Sequence, residues 1–132
     1  MQITKAESYG LLGVIYLAQQ EKDRRVPLSE IAKSQDVPEK FLAKIFQYLT
    51  KSGIVRSHRG VGGGFALIRD PKDLTFCDII EAIQGPCHLI MCLPDAERCA
   101  KSAKCPVRVV MQDAENNLKK VFTSYTIADI IK

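Results

Sequence analysis

The sequence lacks any apolar run near the ~20 residues that a membrane-spanning helix requires. The short apolar stretch 11–18 could imitate the core of a signal peptide. However, Glu7 as well as Lys5 precedes it, and no small-residue cleavage site follows. We therefore expect a cytoplasmic protein that has no contact with a membrane. Its 132 residues, 46% of them hydrophobic and 26% charged, fit one globular domain or one small domain with an appendage.

The sequence also lacks an even number of cysteines, so its five thiols cannot all pair in disulfides. In the cytoplasm, clustered thiols more often indicate metal or redox chemistry than a disulfide framework. Three of them lie in the stretch CLPDAERCAKSAKC, which runs from Cys92 to Cys105. Five or six residues separate successive thiols, and the close C-x2-4-C pairs of compact zinc sites are absent. The spacing alone leaves open a metal site and an ordinary polar loop.

Acidic residues are scarce in one part of the chain. Residues 1–70 hold eleven Lys and Arg against seven Asp and Glu, whereas residues 71–132 hold eight of each. Between Pro38 and Arg69, six basic residues stand against a single acidic one. This concentration of positive charge predicts a polyanionic partner, and nucleic acid is the usual one.

The segment that carries this charge has the pattern of a helix-turn-helix. A buried helix is predicted over residues 4–20, a short second helix from Pro27, a turn at 35–37 and a third helix over 38–51 that stops at Gly53. One stripe of the third helix is expected to face the core, namely Phe41, Leu42, Ile45, Phe46 and Leu49. The opposite face suits contacts with phosphates and base edges, and comprises Lys40, Lys44, Gln47 and Lys51.

Two apolar strands around a glycine-rich turn follow directly, and a hairpin in this place predicts a wing. The glycines resemble part of a dinucleotide-binding motif, but that motif requires a helix after the turn, and here a strand follows. Arg59 at the tip is predicted to enter a minor groove. The complete set of predicted DNA contacts is Lys40, Lys44, Gln47, Lys51, Arg56, Ser57, His58, Arg59, Gly60 and Gly62.

The second half is predicted to hold a helix that begins after Thr75, a cysteine-bearing loop over 86–105, a long helix over 106–124 and a last short helix. Cys77 is interpreted as a packed core thiol. The long helix exceeds what the remaining core needs, so its apolar seam is predicted to join two copies. The seam comprises Val107, Val110, Met111, Ala114, Leu118, Val121 and Phe122. We thus divide the chain into a winged helix-turn-helix domain, 1–70, and a loop-and-dimer region, 71–132.

Three stretches carry a resemblance to a known family: MQITKAESYGLLGVIYLA, the segment from VPLSEIAK through SGIVRSHRGVGGGFALIRDP, and the triple cysteine. Together they resemble the winged-helix iron–sulfur regulators of the IscR and NsrR type, the Rrf-two family. The resemblance implies a homodimeric bacterial transcription factor on a palindromic operator in double-stranded DNA. It also implies that Cys92, Cys99 and Cys105 hold a [2Fe-2S] or [4Fe-4S] cluster whose state sets the affinity for DNA, in response to iron–sulfur status, redox state, O₂ or NO.

The chain departs from the family pattern at three positions. A histidine that ligates in one branch is replaced by Arg108, which cannot ligate, and a carboxylate that ligates from the partner subunit in another branch is replaced by Ser8. A glutamate of the recognition helix is replaced by Ala43, so operator preference is not carried over. Four candidates remain for the fourth ligand, with the first favoured by the family pattern: Glu7 acting from the partner subunit, His88, Cys87 and an exogenous group.

The mainly α fold with a small hairpin points to a regulator with no enzymatic activity and no small-molecule substrate. Two alternatives stay open. In the first, a regulator of the same fold binds no cluster and responds to thiol oxidation or to a partner protein. In the second, more distant one, the chain is a small iron–sulfur redox protein, for which the basic helix-turn-helix and wing would have no role.

Overall fold

The structure is a computed structural model, and it describes residues 1–131. It is mainly α-helical with one antiparallel hairpin, which confirms the predicted fold class. No helix in this range is both long and apolar enough to cross a membrane. The elements in chain order are α1 (Lys5–Ala18), α2 (Leu28–Gln35), α3 (Glu39–Lys51), β1 (Val55–His58), β2 (Gly64–Leu67), α4 (Phe76–Gln84), α5 (Pro106–Ser124) and α6 (Ile127–Ile130). Two single-turn 3-10 helices lie between α4 and α5, at Ala96–Arg98 and Ser102–Lys104.

Three helices begin at a capping box, in which a threonine and an acidic residue three positions later satisfy each other's backbone N–H groups. The three threonines are Thr4, Thr75 and Thr126. Between α2 and α3 the chain turns sharply, because Asp36 takes the left-handed conformation at φ 53°. Pro38 then directly precedes α3. The predicted helix-turn-helix is therefore present.

Helix α1 lies in the middle of the core and packs against α2, α3 and α4. A side chain at Gly13 would place its Cβ 2.7 Å from the Phe46 ring, so only glycine permits this close approach. The core also takes in Leu74, Ile79 and Ile127 from beyond residue 70. Helices α4 and α6 thus complete the hydrophobic core of the winged part, and we call residues 1–84 with 125–131 the head.

The wing is fixed to the head by a third extended segment. Strands β1 and β2 pair from Val55–Leu67 to His58–Gly64. Val26, in the loop before α2, exchanges two backbone hydrogen bonds of 2.8 Å with Phe65. Gly64 has φ +153°, and a Cβ there would lie 2.5 Å from the Val26 carbonyl carbon. The base of the wing can therefore be formed only with glycine at this position.

One residue of the predicted core stripe of α3 is not in the core. Leu42, Ile45, Phe46 and Leu49 are buried, but Phe41 is 45% exposed and rests edge-on against Tyr9, with ring centroids 5.6 Å apart. The prediction for Phe41 was wrong because its position lies at the flank of the helix. The other four side chains already cover the surface that faces α1 and α2.

Helix α5 packs in part against α4 and is joined to the rest of the head at its C-terminal end. The segment before α4 pairs with the segment before α6, as Ile127 N–H donates to the Leu74 carbonyl (2.8 Å) and Phe76 N–H donates to the Tyr125 carbonyl (3.1 Å). The C-terminal end of α5 is consequently anchored beside the start of α4.

Candidate nucleic-acid interface and cysteine loop

The polar face predicted on α3 is exposed along its whole length. Its members are Lys40, Lys44, Gln47 and Lys51, all of which point away from the core. Three cations and one amide on a rigid helix provide charge for phosphates and donors for base edges. Because α3 is pinned by its buried opposite face, these side chains keep a fixed spacing relative to the wing.

The wing presents its tip to solvent. Arg59 and Gly60 are exposed, and Val61 beside them is fully exposed. Gly60 and Gly62 have φ values of +88° and +75°, which L side chains rarely adopt. The tip can therefore lie close to a nucleic-acid backbone with the Arg59 guanidinium projecting from it.

Farther down the wing, Arg56 and Ser57 are exposed, and Arg56 makes a loose ion pair of 3.4 Å with Asp23. His58 differs from both. The residue is half-buried, and its Nε2 is shielded from solvent and has no hydrogen-bond partner among residues 1–131. Desolvation, together with the positive charges of Arg25 and Arg56, lowers the pKa of His58 below 6.5.

The three thiols of the predicted metal site lie on an exposed loop. Cys92 and Cys105 are partly exposed, Cys99 is exposed, and all three are free thiols. No residue between Cys92 and Cys105 is buried, and the hydrogen bonds inside the loop are local, such as Ser102 Oγ to the Ala96 carbonyl (2.7 Å). Across residues 1–131, no three His, Cys, Asp or Glu side chains converge closely enough to hold a metal ion.

The kind of donor nevertheless fits an iron–sulfur cluster. Thiolate is the ligand that cluster irons prefer, and none of these three thiols is blocked by a disulfide. A loop without buried residues can also close around a ligand at little cost in packing. The donors are therefore suitable in chemistry and accessible, but they are not assembled.

Two of the predicted fourth ligands are occupied or enclosed. Glu7 is 4% exposed and its Oε2 accepts hydrogen bonds from Thr4 N–H (2.7 Å) and from Thr4 Oγ1 (2.5 Å). Burial raises its pKa, but the hydrogen bonds from Thr4 and Gln84 outweigh burial, so the pKa is lowered overall. Cys87, near the start of the predicted loop 86–105, is buried, and burial raises the pKa of its thiol.

The third candidate, His88, is tied to α5. Its Nδ1 lies 3.0 Å from Oε1 of Glu115, and the same carboxylate oxygen accepts a hydrogen bond from Leu89 N–H at 3.0 Å. Lys119 Nζ stands 3.7 Å from the other carboxylate oxygen. Burial opposes ionisation of Glu115, but the bonds from Leu89 and His88 and the charge of Lys119 outweigh burial and lower its pKa.

Sequence reasoning missed Glu115. It is 3% exposed and is the sole residue of α5 that is buried. A signal was present, because Glu115 follows Met111 by four residues and precedes Leu118 by three, which places a charge on an otherwise apolar face. A charged residue on the apolar face of a helix indicates a specific polar partner in the segment that packs against that face.

The predicted dimer seam is largely uncovered. Val107, Val110 and Val121 are all more than half exposed, and Ala114 is exposed, while Met111, Leu118 and Phe122 are partly buried against the protein. Helix α5 therefore buries its carboxylate and exposes its valines, the reverse of a helix that packs only within its own chain.

Comparison with known proteins decides the family. The model of the Rrf2 family, described as iron-dependent transcriptional regulators, matches residues 3–132. The chain belongs to the Rrf2 family. It is 36% identical over 125 residues to a putative HTH-type transcriptional regulator of Aquifex aeolicus, covering 93% of this chain and 86% of that protein.

Solved structures of Rrf2 regulators share the fold. The chain is similar to CymR, the global cysteine regulator of B. subtilis, with a TM-score of 0.78 and 27% identity over 99% of this chain and 96% of CymR. It is also similar to T. potens IscR, with a TM-score of 0.78 and 27% identity over 99% of this chain and 86% of that one. These findings confirm the predicted family and the winged-helix fold. Rrf2 proteins are transcription regulators that bind DNA and are typically dimeric.

Proposed function

We propose that this Rrf2 regulator is a homodimer whose affinity for a palindromic operator is set by an iron–sulfur cluster on Cys92, Cys99 and Cys105. The observation that carries the proposal is the position of the three thiols. They are free and at least partly exposed, and they lie on the loop that leads directly into helix α5. A change in this loop therefore acts next to the proposed dimer seam.

The head supplies the DNA contacts. The basic face of α3 would lie in a major groove, and Arg59 at the wing tip would reach an adjacent minor groove. In a two-fold dimer, two heads read half-sites about one helical turn apart, which is why the operator is expected to be palindromic. The relative position of the heads then decides whether both half-sites can be bound together.

Helix α5 supplies the dimer contact. Its nineteen residues carry exposed valines along one face, and the pairing of two such faces would remove them from water. The helix is fixed to the head at its C-terminal end through the Thr75–Thr126 pairing and Ile127. Movement at its N-terminal end, where Cys105 precedes it, would therefore change the angle between the heads.

The loop residues would hold the cluster through their thiolates. A bound cluster supplies a reaction with O₂, NO or electrons that changes its own ligation. Arg108, on the first turn of α5, donates from Nε to the Cys92 carbonyl (3.3 Å). This bond keeps Cys92 at the start of α5, which Cys105 directly precedes, so the loop can close by movement of Cys99 toward these two thiols.

Anaerobic purification with iron and sulfide analysis, followed by operator binding with and without the cluster, tests this function. We expect a coloured protein with iron and sulfide in equal amounts, whose affinity for its operator changes when the cluster is removed. A protein that stays free of iron after anaerobic reconstitution would contradict the proposal. So would an operator affinity that is the same in both forms.

A second candidate is a regulator that binds no cluster and senses oxidation of its thiols. It is favoured by the exposure of Cys99 and by the separation of the donors within residues 1–131. The similarity to a protein described as a global cysteine regulator points the same way. Oxidation or alkylation of metal-free protein would then change operator affinity, whereas the cluster proposal predicts no such change without metal.

A further inference from the structure

The pair formed by His88 and Glu115 joins the cysteine loop to α5 through a buried carboxylate. We propose that His88 supplies a nitrogen ligand to the cluster through its Nε2, and that Glu115 is the positioning residue that holds the imidazole ring. The inference rests on the proposed cluster function and deepens it. It assigns the fourth ligand to a residue four positions before Cys92.

The hydrogen bonds fix the state of the ring. Oε1 of Glu115 accepts the hydrogen bond from Leu89 N–H and lies 3.0 Å from Nδ1 of His88, so we assign Nδ1 as a second donor to this oxygen. An imidazole that donates from Nδ1 binds a metal through the lone pair of its other nitrogen, Nε2. Within residues 1–131, Nε2 has no hydrogen-bond partner and is not shielded from solvent, unlike Nε2 of His58. A ligating histidine in proteins ordinarily has this arrangement, with a carboxylate behind the ring.

Burial makes the arrangement specific. Glu115 is 3% exposed. Its Oε1 accepts a hydrogen bond from Leu89 N–H and also lies against Nδ1 of His88. Burying a carboxylate is costly unless its partners are all present, so this carboxylate constrains residues 88 and 89 together. The Met1 amino group also donates to the His88 carbonyl, which holds the backbone of that residue from the other side.

The other candidates are less suited to the role. Glu7 would have to give up both bonds to Thr4 and leave the start of α1 uncapped. Cys87 is buried beside Cys77 and Glu81, and Arg108 cannot ligate. His88 alone combines a free donor atom with a ring that is already oriented.

The position of the ligand also suggests a route for the signal. Cys92 and His88 lie at the two ends of a five-residue segment, and each is bonded to α5, through Arg108 and Glu115 respectively. Loss of the cluster would release the constraint on this segment. Helix α5 would then be altered at Arg108 and at Glu115, which lie about two turns apart along the helix.

The test is pulsed electron-nuclear spectroscopy of anaerobically reconstituted protein, reduced radiolytically in frozen solution so that the cluster is paramagnetic. We expect wild-type protein to show a nitrogen hyperfine coupling of the size that a metal-bound imidazole gives. His88→Ala should lose this coupling, and His88→Cys should lose it while keeping iron and sulfide at the wild-type level. Glu115→Gln should keep the coupling but weaken retention of iron against a chelator by about 10–100-fold.

Asp113→Asn is the matched control, because Asp113 is an exposed carboxylate on the same helix. It should leave both the coupling and iron retention unchanged. A wild-type cluster without a nitrogen coupling, or a coupling that survives in His88→Ala, would overturn the ligand assignment alone. Equal iron retention in Glu115→Gln and wild type would overturn the role of Glu115. Iron-free wild-type protein would overturn the proposed function and this inference together.

Discussion

The head and the cysteine loop are built on opposite principles. The head encloses apolar side chains from six elements, and its turns are fixed by glycines and capping boxes. The loop from Cys92 to Cys105 encloses no side chain and is joined to α5 by the hydrogen bond from Arg108 Nε to the Cys92 carbonyl. Segments with little buried surface open at low free-energy cost, whereas packed elements open only on global unfolding. A rigid head and an adaptable cysteine loop can therefore exist in one small chain.

The strongest test of the rigid half is Gly64→Ala at the base of the wing. The new Cβ would meet the Val26 backbone at 2.5 Å in a backbone conformation that disfavours alanine. We expect a loss of about 2–5 kcal/mol in the free energy of unfolding, measured by urea denaturation. Gly62→Ala, which meets only open space, should cost about 1–2 kcal/mol from φ strain alone. Equal costs would show that the wing base is not fixed by the contact with Val26.

The head and the cysteine loop can be compared by the same cysteine-to-serine substitution made in each. Cys77 is buried, and burial together with Glu81 raises its pKa to about 11. Cys77→Ser should cost about 1–3 kcal/mol of stability, because a hydroxyl replaces an apolar group in the core. Cys99→Ser should change stability by less than about 0.5 kcal/mol, yet abolish stable retention of the cluster. Thermal unfolding and iron analysis of both variants measure the difference; a stability loss at Cys99 would contradict the description of the loop.

Lysines distinguish the halves by their contribution to DNA binding. Lys44→Ala on α3 should weaken binding and lower the slope of log affinity against log salt by about one. Lys101→Ala, an exposed lysine of the cysteine loop, should leave that slope unchanged. Fluorescence anisotropy on an operator duplex at several salt concentrations measures both. Equal slopes for the two variants would show that Lys44 of α3 does not contact the DNA backbone.

The smallest expected effect is a pH dependence from His58. Its pKa in the folded protein is lowered by desolvation and by Arg25 and Arg56, so the unfolded chain binds a proton more readily. The contribution to stability is therefore complete above about pH 7 and decreases as pH falls through the unfolded-state pKa near 6.5. His58→Gln should reduce the loss of stability between neutral and mildly acidic pH. An unchanged pH profile in this variant would contradict the buried position of the ring.

Local rules were sufficient for most of the fold. The first helix over residues 4–20, the helix after Thr75 and the long helix from residue 106 were predicted from short-range chemistry, and the structure has helices that begin at Lys5, Phe76 and Pro106. Phe41 was misplaced because periodicity describes the average direction of a stripe and not how many residues the neighbouring helices can cover. The partners of Glu115 lie 26 and 27 residues earlier in the chain, and no local pattern specifies such a contact.

The candidate site likewise has a part that the sequence predicted and a part that it did not. Exposure of the basic face of α3 followed from helical geometry, since the opposite face had to be buried. The geometry of the cysteine loop did not follow, because a loop without a core has no packing that would determine it. The buried Nε2 of His58 also depends on the loop before α2, which approaches the wing only in the folded chain.

The pairing of Thr75 with Thr126 has a consequence for the order in which the protein is made. Ile127 is fully buried in the head, so the hydrophobic core that supports α3 and the wing is closed by residues synthesised after the cysteine loop and α5. During translation, the head cannot reach its final packing before the cysteine loop and α5 have left the ribosome. Every completed head therefore already carries its cysteine loop and α5.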